Sequence, residues 1–275
     1  MLNITSTKTL HNEVEMPRFG LGVFKMTDRD EALQALTTAI DAGYIAIDTA
    51  AIYKNEKEVG EAVKASSVKR EDLFITSKVW NTDQGYDETL RAFETSLKTL
   101  DMDYLDLYLT HWAVPEKFKD TYRAIERLYD EKLIRATGVS NHQIHHLEEI
   151  FVQANIKPMV NQIELHPYLT QVELLDFCKA NDITVTAWSP LGRGKVLEDA
   201  VIASIGQKYS KSIAQVIIRW HLQSDNIVIP KSVTPSRIEE NAQVFDFELT
   251  TEDMKQIDAL NKDERTGSHP DHFKF

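Results

Sequence analysis

Seven short, mostly apolar runs in this chain each finish on a polar or ionisable residue, and this repetition restricts the fold more than any other feature. The run 44–47 stops at Asp48, 73–75 leads through Thr76 and Ser77 to Lys78, and 104–109 leads through Thr110 to His111. The run 134–139 stops at Ser140 and Asn141, and 159–160 leads to Asn161 and Gln162. The last two, 183–188 and 227–230, lead to Ser189 and to Lys231 with Ser232. A strand that serves only the core has no packing reason to end on a charge. In a closed barrel of parallel strands, the C-terminal strand ends form the rim on which active sites sit.

Between the runs lie stretches of helical period. Ala32, Leu33, Leu36, Ala39 and Ile40 fall on one face, as do Ile144, Leu147, Ile150, Phe151 and Ala154. Val172, Leu174, Leu175 and Cys178 repeat the pattern. Asp28 followed by Glu31 reads as a helix start, Gly43 as its end, and Thr250 as the cap of a helix over 250–260. Strand and helix therefore alternate, which implies parallel strands with crossover helices. With a first strand over 19–24 there are eight such units. The expected fold is α/β: one (β/α)8 barrel spanning 1–275 as a single domain, with extra helices. A hairpin over 7–16 is expected to plug its bottom. An open doubly wound sheet is the structural rival. It calls for a glycine fingerprint after the first strand, and the stretch from Gly20 through Gly22 and Phe24 to Lys25 does not supply one.

The net charge of −12 over 275 residues argues against a general nucleic-acid or anionic-membrane binder. It leaves room for a local basic site. One cysteine, Cys178, permits no intrachain disulfide and fits a reducing compartment. The N-terminus lacks a signal peptide's apolar core, and no apolar run is long enough to span a bilayer. A cytoplasmic protein is expected. A closed barrel has no edge demanding a partner, so a monomer is expected too.

Four rim residues have complementary chemistry. Asp48 and Lys78 end neighbouring strands and are placed for a salt bridge. Tyr53 follows Asp48 in the next loop, and His111 ends the following strand. A phenol has a pKa of about 10. A nearby ammonium is expected to lower it by roughly 1–3 units, toward useful acidity near neutral pH. His111 is placed to orient a carbonyl oxygen. These parts suffice to protonate a carbonyl as a hydride reaches its carbon.

The motifs Asp48-Thr49-Ala50-x-x-Tyr53, Lys78, Leu109-x-His111-Trp112, Gly138-x-Ser140-Asn141, Asn161-Gln162-x-Glu164 and Ile229-Pro230-Lys231-Ser232 resemble, in order, those of the aldo-keto reductases. The resemblance runs from about Met16 to the C-terminus and is nearest to the microbial diketogluconate/methylglyoxal reductase branch. It implies NADPH held across the barrel rim without a Rossmann fold, and reduction of a small-molecule aldehyde or ketone. It implies Tyr53 as proton donor, Lys78 and Asp48 as its partners, and His111 as orienter. Ser140, Asn141 and Gln162 are implied at the nicotinamide carboxamide, with Trp188 stacked on the ring and Gly22 and Val23 beside the cofactor. Ser189, Pro190, Leu191 and Gly192 are implied at the pyrophosphate. Lys231, Ser232, Val233, Thr234 and Arg237 are implied at the 2′-phosphate, with Glu240 and Asn241 at the adenine. A 2′-phosphate needs a cation and a multidentate donor, which fits Lys231 and Arg237.

Phe24, Trp80, His111 and Trp112 are the expected substrate walls. The chain departs from the common pattern in having Phe24 where many members carry Trp, Trp188 where many carry Tyr, and Ala113 where Pro is frequent. The short stretches 113–118 and 265–275 point to an open pocket and broad substrate tolerance.

Two rival functions share these residues. A Schiff-base aldolase would use Lys78 as nucleophile, and a redox sensor would bind NADPH with little turnover. No metal site is expected. His142, His145 and His146 have spacing that could share a helix face, but no carboxylate or cysteine completes the set in sequence. His269, Asp271 and His272 read as a flexible tail. Cys178 reads as a buried small hydrophobe.

Overall fold

The structure is a computed structural model that describes residues 2–273. The chain opens with an antiparallel hairpin, β1 (Thr7–Thr9) and β2 (Glu15–Pro17). Eight parallel strands follow: β3 (Leu21–Gly22), β4 (Ala46–Asp48), β5 (Phe74–Val79), β6 (Leu105–Thr110), β7 (Ile134–Ser140), β8 (Val160–Glu164), β9 (Thr184–Trp188) and β10 (Ile227–Val228). They pair in sequence order. The first and last strands also meet. Phe19 bridges Val228, Gly20 N–H donates to Val228 O at 3.0 Å, and Gly22 N–H donates to Pro230 O at 3.2 Å. The sheet is thereby closed into the expected barrel.

Helices cover its outside: α1 (Arg29–Asp41), α2 (Glu56–Ala65), α3 (Tyr86–Leu100), α4 (Phe118–Asp130), α5 (Ile144–Phe151), α6 (Val172–Ala180), α7 (Ala200–Tyr209), α8 (Ile213–Gln223), α9 (Pro235–Ala242) and α10 (Thr251–Asp258). Their ends follow local chemistry. The Asp28 carboxylate accepts the Glu31 N–H at 2.9 Å, and Gly43 takes φ +93° just past α1, where a side chain would be strained. Thr250 and Asp253 close a reciprocal cap at the start of α10.

Side-chain alternation turns this fold into a site. Successive residues of a strand face opposite sides, so every second residue lines the barrel interior. Ala46, Phe74, Leu107, Leu109, Ala136, Val160 and Ile227 share one buried interior cluster. Leu10 and Met16 of the hairpin join that cluster from below, as a bottom plug should. Their odd-step neighbours Ile47, Ile75, Tyr108 and Val228 pack outward in the layer under the helices. Counting upward in twos from the interior cluster reaches Asp48, Lys78, His111, Ser140 and Gln162. The parity that fills the floor with apolar groups thus raises polar ones above it. The first strand is shorter than the expected 19–24: regular pairing covers only Leu21 and Gly22, with Phe19 and Gly20 joined to Val228 by an isolated bridge and a hydrogen bond.

Candidate active site

A cavity of about 920 Å³ opens at the C-terminal ends of the strands. Its inner end is a buried polar network. Lys78 Nζ donates to Asp48 Oδ1 at 2.6 Å and to Thr49 O at 2.8 Å, and lies 5.0 Å from the centre of the Tyr53 ring. The other carboxylate oxygen of Asp48 accepts from Gln162 Nε2 at 2.7 Å. Ser140 Oγ donates to Gln162 O, and Asn141 Nδ2 donates to Ser140 Oγ and to His111 O. Trp188 Nε1 donates to Asn141 Oδ1 at 2.8 Å. The acid–base pair and the amide set are therefore one continuous network, tied together through Gln162.

Electrostatics set the protonation states. Burial alone would lower the pKa of Lys78, but Asp48 and Tyr53 outweigh it, and the ammonium is held above its ordinary value. A lysine fixed in this way as a cation is no free amine nucleophile, so the aldolase reading is not favoured. Burial followed by the charge of Lys78 pushes His111 well below the usual imidazole value, so its ring is neutral. The ring packs edge-on against Tyr53 and Trp80, and its Nδ1 is buried with no hydrogen-bond partner among the described residues.

Tyr53 corrects one expectation. Its pKa is raised, not lowered: burial is the largest cause, Asp48 adds to it, and the opposing pull of Lys78 is smaller. The phenol stays protonated, and the ammonium beside it is positioned to stabilise the phenolate once a proton has left.

The outer end of the cavity is different. Lys231, Ser232, Val233, Thr234, Arg237, Glu240 and Asn241 all line it, with Ser189, Pro190 and Leu191 between the two ends. Lys231 and Arg237 are exposed and form no ion pair among the described residues, although the chain carries net charge −12. Two unpaired cations facing one cavity fit a phosphorylated ligand. Gly22 is also in the wall, where its missing side chain leaves space beside Asp48. Two expected cofactor residues do not line the cavity. Val23 points into the apolar layer beneath the helices, and Gly192 is buried in a turn closed by its N–H to Ser189 O at 2.8 Å.

Phe24, Trp80 and Trp112 stand around Tyr53 and His111 as expected, with Phe24 4.9 Å from Tyr53 between ring centres. The tail forms part of the cavity wall, which the sequence did not announce. Gly267, Ser268 and Phe273 line the cavity, and Phe273 stacks on Trp112 at 4.4 Å. Glu164, which the sequence offered without a role, fastens this segment. Its buried carboxylate accepts from Thr266 N–H at 2.6 Å, from Thr266 Oγ1 and from Gly267 N–H. Burial acts to raise its pKa, but these hydrogen bonds and His166 outweigh it and bring it to about 2. Arg193, another cation of the cavity wall, was also not singled out. Its only signal was its place after the Ser189 loop. Cys178 is buried, with its thiol pushed up to about 11 by burial.

Comparison with known proteins agrees with this geometry. The Aldo/keto reductase family profile matches residues 18–262. A glyoxal reductase of Bacillus subtilis (strain 168) is 59% identical over 273 residues, 99% of each chain. The methylglyoxal reductase DkgA of Escherichia coli (strain K12) is 44% identical, again over 99% of each chain. The crystal structure of a Gox0644 mutant in complex with NADPH superposes with a TM-score of 0.94 at 42% identity, covering 98% of this chain and 99% of that one. Seen beside the fold and the cavity, these likenesses leave one assignment: the chain belongs to the aldo/keto reductase family and is an NADPH-dependent carbonyl reductase.

Proposed function

We propose that Tyr53 donates the proton in this reduction and that the substrates are small aldehydes and ketones, first among them dicarbonyls of the glyoxal and methylglyoxal type. The observation that carries this reading is the buried Asp48–Lys78 pair beside Tyr53, with neutral His111 across the same cavity. NADPH, when bound, supplies the hydride. Tyr53 Oη gives its proton to the carbonyl oxygen. A developing alkoxide is far more basic than phenolate, so a phenol with a raised pKa is still an adequate acid. Lys78 then faces a phenolate, and its preset ammonium stabilises that charge without reorganising. Asp48 keeps Lys78 in place. His111, neutral, offers an N–H to the same carbonyl oxygen. Phe24, Trp80 and Trp112 exclude water from the reacting atoms.

Ser140, Asn141 and Gln162 would hold the carboxamide end of the cofactor and Trp188 its ring. Lys231, Ser232 and Arg237 would take the 2′-phosphate, and Glu240 with Asn241 the adenine. We take the whole chain as one functional domain acting as a cytoplasmic monomer, with no nucleic-acid partner. In support of the last point, the net charge is −12.

The test is NADPH oxidation by purified protein with methylglyoxal, an aromatic aldehyde and a diketo sugar acid, run beside Tyr53→Phe. Loss of turnover with NADPH binding retained supports the reading. Near-native turnover in the variant removes Tyr53 as donor. Tight NADPH binding without turnover on any substrate favours the sensor alternative.

A further inference from the structure

His145 and His146 open α5, and their neighbours in sequence, Glu148 and Glu149, do not join them in one cluster. The fold brings a carboxylate from the tail. Asp271 lies in the short turn Pro270–His272, and its Oδ1 is 3.5 Å from His145 Nε2 and 4.0 Å from His146 Nε2. One donor atom from each of the three residues falls within 4.8 Å of the other two. Two ligands of a tetrahedral ion with bonds of roughly 2.0–2.1 Å stand about 3.3–3.5 Å apart. The His145–Asp271 pair already has that span, and the other donor pairs must draw in from as far as 4.8 Å. We propose that His145, His146 and Asp271 form a site for a divalent zinc- or nickel-type ion that staples the C-terminal tail to α5.

The donor set fits the ion. Two imidazoles and one carboxylate suit a borderline metal, and three protein ligands leave a fourth position for water. Above its ordinary pKa of about 6.5 an imidazole is neutral, as a ligand must be. One contact works against loading. His146 Nδ1 accepts the Gln143 N–H at 3.1 Å, and ligation through Nε2 moves the ring proton onto Nδ1, which ends that bond. The site is therefore one of modest affinity. His269 is not one of the clustered donors; its Nδ1 accepts the N–H of Asp271. Of the other charges facing the cluster, Glu149 on α5 is engaged by Lys119 at 2.9 Å, and Arg265 lies on the tail. The site stands apart from Tyr53 and Lys78. It bears on the cavity through the tail, whose Phe273 stacks on Trp112, and through His142, which packs on His146 and contacts Ser140 O.

Calorimetric titration of tag-free, full-length protein with Zn²⁺, and separately with Ni²⁺, tests this. The expected result is one ion per chain, bound on the order of micromolar and weakened by roughly tenfold or more in His145→Ala and in Asp271→Asn. His11→Ala, whose ring sits at the hairpin end of the barrel, should bind as the parent does. In the same samples Zn²⁺ should slow tryptic cleavage after Lys262 or Arg265 in the parent and not in Asp271→Asn. Absence of stoichiometric uptake overturns the proposal, as does equal uptake by Asp271→Asn or equal cleavage with and without the ion. Melting without metal checks that each variant folds, and Asp271→Asn alone decides if His145→Ala does not. None of these readouts depends on turnover, so failure here leaves the reductase assignment untouched.

Discussion

At the inner end of the cavity Asp48, Lys78, Ser140, Asn141 and Gln162 are buried and bonded to one another, whereas at the outer end Lys231 and Arg237 stand exposed with no ion pair among the described residues. The two ends solve different problems. Chemistry needs donors fixed before charge develops, because groups that are already oriented need no reorganisation during the reaction. Holding an anion needs net charge and several donors more than fixed position, and mobile surface cations provide both at the expense of salt sensitivity. The inner end is accordingly rigid and nearly self-sufficient, and the outer end waits for its ligand.

The sharpest way to break this contrast is Lys78→Met. Turnover should fall by roughly 10²–10⁴-fold through lost proton-transfer support. Stability should drop by about 3–5 kcal/mol, because Asp48 is left buried and unpaired. Adding Asp48→Asn should return much of the stability and none of the turnover. Urea melts and steady-state kinetics on the two variants separate these effects. Next in size is Arg237→Ala. Losing charge-assisted hydrogen bonds of about 1.5–3 kcal/mol should weaken NADPH by roughly 10–100-fold. NADH affinity and stability should stay as they are. Added salt should reproduce part of the NADPH loss without touching the chemical step, and fluorescence titration reads both.

Gly267→Ala should act more gently. An added Cβ would lie 2.5 Å from the Trp188 ring and 3.2 Å from Glu164 Oε2, so the tail must shift. Overpacking of about 1–3 kcal/mol should appear as a Tm lowered by a few degrees together with a several-fold rise in substrate KM. The smallest effect is a null one. His111 is already neutral above a pKa that lies well below the ordinary value of about 6.5, so turnover should stay level as pH falls through that value. Tyr53, with its pKa raised, should remain protonated through pH 10 or so. An acid limb near pH 6.5 in the kcat profile would assign an ordinary titration to His111.

Some of this was legible in the sequence because the signals were local. Asp28 with Glu31 and the cap Thr250 act within one helical turn, and their position names their role. The endings at Asp48, Lys78 and His111 were legible because a barrel sends every strand's top to the same rim. What escaped depends on distance or on enclosure. Thr266 reaches Glu164 across 102 residues, and Asp271 reaches His145 across the same kind of gap. No pattern along the chain announces either meeting. The direction of the Tyr53 shift escaped for another reason: the ammonium beside it can be read from motif order, but the extent of burial around the phenol exists only once the barrel has closed.

The seam of the barrel also governs its assembly. Phe19, Gly20 and Gly22 are joined to Val228 and Pro230 across roughly two hundred residues of intervening chain, the longest-range pairing in the barrel wall. Gly22 lies on one side of that seam, and Lys231 with Ser232 lies just past the other; all three face the same cavity. A nascent or nicked chain that has formed every strand but not this last junction has no complete groove. Cofactor affinity therefore doubles as a register of completed folding, and a cell rich in the dinucleotide selects finished barrels simply by binding them.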